Sequence, residues 1–219
     1  MRRRPLMRLR YVCLAVGLSG VILGCKDDRF VPMELFFGST ASAAQPVSGR
    51  KPVIGEYAAG IPPVLLTAEH AALCKLKVGD PFPALELPKL EGGNAKLESL
   101  AGKKATVVII WSPEGWMNRV ALADIAKDVT QQEIAAGAAV IGVAVGQAEA
   151  VQAAATKAGA KFPQLVDADG AAFGQVGSGS LPRIFVLDSQ RRIAWFDIEY
   201  SEATRRELRQ TLNALSTAR

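Results

Sequence analysis

Apolar residues in this chain gather into short runs separated by polar turns. Thr106–Trp111 (TVVIIW) and Ala138–Val145 (AAVIGVAV) are unbroken apolar runs rich in β-branched residues, and they predict two buried strands. Between them, Met117, Val120, Ala121, Ile125, Val129 and Ile134 keep a nearly helical stripe, which predicts one amphipathic helix from Trp116 to Ala136. Glu149–Ala158 predicts an alanine-rich helix. Phe162–Asp167, Arg183–Asp188 and Ile193–Ile198 predict short strands, the last two joined by the turn Ser189–Arg192. Ser201–Leu215 predicts a final helix with Ser201 as N-cap and Thr204–Glu207 on its wet face. Upstream, Thr67–Leu76 predicts a short helix capped by Thr67, and Gly92-Gly93-Asn94 a hairpin turn. Strand–helix–strand order implies parallel pairing with right-handed crossovers, and the closing hairpin adds antiparallel strands. The expected fold is α/β, a mixed four- to five-stranded sheet flanked by helices.

The first 66 residues follow a different pattern. MRRRPLMRLR is basic, Tyr11–Leu23 is apolar and too short to span a bilayer comfortably, and Gly24-Cys25 is followed at once by Lys26-Asp27-Asp28. Residues 1–24 therefore read as an export signal, and the junction resembles a bacterial lipobox that would make Cys25 a lipidated first residue. An uncleaved anchor, or cleavage near Ala41–Ala44, is the alternative. Residues 25–66, with GSTASAAQPVSGRKP and further prolines, read as a tether, leaving 67–219 as the domain. The patch Phe30–Phe37 is apolar for a tether, and the sequence leaves open whether it packs on the domain or on a membrane.

The net charge of +5 changes little. Five arginines of the signal account for it, and beyond residue 24 the 21 basic residues face 21 acidic ones. No block of like charge suggests nucleic acid. Three cysteines occur: Cys13 in the signal, Cys25 at the lipidation site, and Cys74 as a lone thiol. His70 is the one histidine, so no zinc spacing exists and no metal or cofactor is expected. His70 and Cys74 are four apart on an expected helix and would share a face. That leaves open an imidazole-activated thiol or a plain buried cysteine.

The stretch ATVVIIWSPEGWMN, a strand that ends in Trp111 and turns into a helix, resembles the active-site segment of the thioredoxin-like redoxins of the TlpA and AhpC/TSA types. The approach Val78-Gly79-Asp80-Pro81 and the series Pro182, Phe185, Asp188 match that family too, over about residues 77–215. The resemblance implies a thioredoxin-like fold, a cis-proline at Pro182, and two reactive cysteines at 115 and 118. The chain has Gly115 and Asn118 there. Neither can carry disulfide exchange, and no cysteine follows the central strand to serve a peroxidase. A serine–histidine hydrolase built from Ser112 and the single histidine lacks an orienting partner.

The expectation is a redox-inactive domain, lipid-anchored in a bacterial cell envelope, that binds a protein or peptide in a groove walled by Trp111, Pro113, Trp116, Leu181, Pro182 and Arg183. The alternative is a thiol–disulfide oxidoreductase with residual or partner-dependent activity through Cys74.

Overall fold

The computed structural model describes residues 60–129 and 131–217. The expected signal, Cys25 and the expected tether as far as residue 59 lie outside the described residues. In chain order the elements are α1 (Ala68–Ala72), β1 (Glu86–Pro88), β2 (Asn94–Lys96), β3 (Ala105–Trp111), α2 (Trp116–Asp128), α3 (Gln131–Ala135) and β4 (Ala138–Val145). Then follow α4 (Ala148–Ala158), β5 (Gln164–Asp167), α5 (Ala171–Val176), β6 (Arg183–Asp188), β7 (Ile193–Asp197) and α6 (Glu202–Thr217).

Five strands form one mixed sheet in the order β5-β4-β3-β6-β7. β3 lies at its centre and all seven of its residues are buried, because helices cover both faces. It runs parallel to β4, from Ala105 opposite Ala138 to Trp111 opposite Ala144. On its other side it runs antiparallel to β6, from Ala105 opposite Asp188 to Ile110 opposite Arg183. Val107, Ile109 and Trp111 share a core with Leu122 and Ile125 of α2, Val151 of α4, and Leu208 and Leu212 of α6. Val108 and Ile110 face the other way, toward Phe185, Leu187, Val176 and the approach residues Phe82 and Leu85. There Phe185 stacks on Phe196 at 5.6 Å and meets Phe82 edge-on at 5.3 Å.

The end of the expected tether is held on the domain. Ile61 and Val64 pack against the core, and Gln210 Nε2 donates to Gly60 O at 2.7 Å.

Three local expectations fail for physical reasons. The helix expected from Trp116 to Ala136 is two helices, because the β-branched Val129 turns extended (φ −87°, ψ 95°) after Asp128. Val120 and Ile134 are exposed and not part of the buried stripe. Thr204 is buried, not wet: its hydroxyl donates to Asp197 Oδ2 at 2.7 Å and ties α6 to the end of β7. The short helix α5, absent from the sequence pattern, is capped by Asp167, whose carboxylate accepts from Ala172 N and Phe173 N at 3.1 and 2.8 Å.

Candidate functional site

β3 delivers the chain to the carboxyl end of the sheet, where Ser112–Gly115 turn it into α2. Ser112 Oγ accepts from Glu114 N at 3.2 Å and closes the turn. Gly115 sits just before α2 with φ 78° and ψ 137°, a conformation that favours glycine. Three residues on, Asn118 is 7% exposed and its carboxamide is fully engaged. Its Oδ1 accepts from Ser112 N at 3.1 Å, and its Nδ2 donates to Glu114 O at 3.1 Å and to Leu181 O at 3.3 Å. The peptide bond Leu181–Pro182 is cis, as the sequence resemblance implied. The two loops that flank the end of the central strand are thus tied together by one neutral side chain. Positions 115 and 118 hold neither sulfur nor a titratable group.

The expected groove residues divide. Trp116 stands out at 65% exposure, whereas Pro113 and Leu181 are half-buried and Pro182 is buried. Trp111 is no groove wall: it is fully buried, and its indole Nε1 donates to Gln164 Oε1 at 3.0 Å inside the sheet layer. Arg183 is no groove cation either. It is 1% exposed because strand alternation puts it on the same face as Phe185 and Leu187. Burial holds its pKa below the ordinary guanidinium value.

A feature that the sequence reading missed adjoins the turn. An open cleft of about 630 Å³ lies between Ser112, Pro113 and Glu114 on one side and Gln147, Ala150 and Lys157 of the α4 region on the other. The signal for it was Gly146, whose missing side chain lets Pro113 come close: a Cβ there would lie 3.2 Å from the proline ring.

Cys74 and His70 do not form a catalytic pair. α1 ends at Ala72, so Cys74 leaves the helix, and its thiol donates to the main-chain oxygen of His70 at 3.3 Å. The imidazole instead faces Glu199, with Nε2 3.5 Å from Oε1. Cys74 packs with the core on the Phe185 side of the sheet, whereas α2 packs on the other side.

The AhpC/TSA family model matches residues 78–196, more than half of the chain. Among solved structures, a Bacteroides thetaiotaomicron protein provisionally named a protein disulfide isomerase superposes with a TM-score of 0.61 at 21% identity, covering 66% of this chain and 93% of that one. A Chlorobium tepidum protein provisionally named thiol:disulfide interchange protein DsbE gives 0.57 at 18%, covering 65% and 99%. Peroxidoxin BcpB from Mycobacterium tuberculosis gives 0.52 at 21%, covering 66% and 99%. At these identities the likeness is one of fold. No curated protein matches the sequence.

Proposed function

This chain belongs to the AhpC/TSA family, and from that premise we propose that it is a redox-inactive, thioredoxin-like binding module of the bacterial cell envelope. The observation that carries the reading is Asn118. Disulfide exchange needs a nucleophilic thiolate and a second thiol to resolve the mixed disulfide. Position 115 offers a hydrogen atom, and position 118 a carboxamide engaged with Ser112, Glu114 and Leu181. What remains is a surface. Exposed Trp116 with Pro113 and Leu181, next to the cleft at Gln147, suits an extended polypeptide with an apolar side chain. The basic and apolar segments that end in Cys25 support attachment to a membrane through lipid on that residue.

The full chain is expected to show no thiol-dependent reduction of insulin. Reduction that survives Cys74→Ser overturns the proposal. Photo-crosslinking from position 116 in native membranes should capture a polypeptide, and the Cys25→Ala chain should no longer take up labelled fatty acid. A second reading, an oxidoreductase working through Cys74 and a partner's thiol, is favoured by Arg183 Nη1 lying 3.7 Å from Cys74 Sγ. It predicts insulin reduction that Cys74→Ser abolishes.

A further inference from the structure

On the sheet face away from α2, the segment after α1 is laced to the end of α5. Cys74 bridges to Gly177, Lys75 N donates to Val176 O at 3.1 Å, and Ser178 N donates to Leu73 O at 2.9 Å. Arg183, the residue after the cis-proline, reaches beneath this lacing. Its Nη1 donates to Leu73 O at 3.2 Å and points at Cys74 Sγ, its Nη2 donates to Ser178 O, and its Cζ lies 5.4 Å from the centre of the Phe173 ring. Its Nε, also buried, has no partner, and no carboxylate among the described residues forms an ion pair with it. Gly177 is required by this arrangement, since a Cβ there would fall 2.4 Å from Nη1. A buried cation held only by carbonyl dipoles, a ring and one thiol is costly unless negative charge can develop beside it. Among the described residues, the only group in contact with it that can supply such charge is the half-buried Cys74.

We propose that Cys74 is a modification site for disulfide-bearing compounds, and that Arg183 couples its state to the cis-proline loop one residue away. In the reaction the Cys74 thiol gives its proton to solvent and its sulfur attacks one sulfur of the incoming disulfide. A new Sγ–S bond forms and the old S–S bond breaks. The other half leaves as a thiolate that takes a proton from water. Cys74 is oxidised to the disulfide level and the leaving half is reduced. Arg183 stabilises the negative charge on Sγ during the attack. The capped sulfur has no proton for His70 O and needs room on the side where Nη1 now lies 3.7 Å away. Arg183 then withdraws from Leu73 O and Ser178 O. The loop 178–182 keeps its tie to Asn118 and loses the one from beneath. The consequence for peptide binding rests on the binding-module reading; the coupling itself does not, and hydrogen exchange reads it without any peptide.

The test treats the folded full chain with 5,5′-dithiobis(2-nitrobenzoate). Peptide mass spectrometry locates the adduct, which separates Cys74 from Cys13 and Cys25, and amide hydrogen exchange follows residues 177–184. Expected are an adduct on Cys74 of the folded chain and exchange about tenfold faster over 177–184, with residues 138–145 unchanged and both effects reversed by dithiothreitol. Arg183→Met should slow capture of Cys74 about tenfold and Arg183→Lys less. The wild-type measurements decide even if Arg183→Met folds poorly. Three results overturn the proposal: Cys74 capped only after unfolding in urea, an adduct that leaves exchange over 177–184 unchanged, or one that speeds exchange everywhere.

Discussion

The carboxamide of Asn118 donates to the carbonyl of Leu181 across 3.3 Å, joining the first turn of α2 to the cis-proline loop. In a redoxin with both cysteines, position 118 would hold the second reactive thiol. Here the same position carries a strap. Asn118 performs there a structural task, three hydrogen bonds that join two loops, that a thiol could not.

Asn118→Ala should be costly. It removes the partner of the Ser112 amide and a donor to each of two carbonyls in a nearly dry place. Each bond contributes about 1 kcal/mol net, and the stranded groups add to the loss, so a destabilisation of about 2–3 kcal/mol is expected. Urea unfolding measures it. A change under about 0.5 kcal/mol, the range of an ordinary surface substitution, would show that the strap does not hold the turn.

Gly115→Ala tests the neighbouring position. With φ at 78°, any side chain is strained, and a Cβ would press to 3.2 Å from Asn118 Nδ2. A loss of about 1–3 kcal/mol is expected. For the same reason Gly115→Cys with Asn118→Cys should gain little insulin reduction. The turn would have to change shape before a cysteine fits. Brisk activity in the double variant would mean the turn relaxes freely.

How much of this was legible depended on whether neighbours in sequence or neighbours in space decide the matter. The β3 run and the Pro182-to-Asp188 series stand on local pattern, and both the central strand and the cis-proline could be read. Arg183 could be placed only in part: alternation with Phe185 and Leu187 puts it on an inward face, but a cation belongs there only because Leu73 and Ser178 lend it carbonyls. Nothing near Arg183 in the sequence announces Leu73. Thr204 misled in the opposite sense. Among arginines and a glutamate it looks solvated, yet Asp197 on β7 waits for its hydroxyl. Trp111 likewise looked like a groove wall because it ends a strand, and it is core because Gln164 on β5 accepts its indole proton.

That last contact yields a further prediction. A Cβ on Gly142 would fall 2.0 Å from Gln164 Oε1 and 2.8 Å from its Nε2. Gly142→Ala must push the Gln164 side chain aside and strand the buried Trp111 indole. Overpacking and the lost partner together should cost about 2–4 kcal/mol and shift the tryptophan emission. Unchanged stability and fluorescence would show that Gln164 has room to move.

Asp128 supplies a pH test. Arg205 of α6 holds this last residue of α2 with two hydrogen bonds, Nε to Oδ2 at 2.6 Å and Nη2 to Oδ1 at 2.8 Å, while Nη1 lies 3.7 Å from Asp124 and 3.1 Å from Glu202. The hydrogen bond from Arg205 outweighs burial and keeps the Asp128 carboxyl below its ordinary value of 3.8. Tyr200, which donates to Asp124 Oδ2 at 2.9 Å, has its pKa raised by burial and stays neutral across the acid range. As pH falls, the unfolded chain therefore protonates Asp128 before the folded one does. The pair stabilises the fold in full above about pH 5 and loses its contribution as pH drops through the folded value. Arg205 is partly open to solvent, so the effect is modest and salt-sensitive. Asp128→Asn should lower the urea midpoint near pH 7, less in strong salt, and the gap to the wild type should close on acidification toward about pH 2. A gap that stays constant down to acid would mean that Asp128 joins α2 to α6 by packing and not by charge.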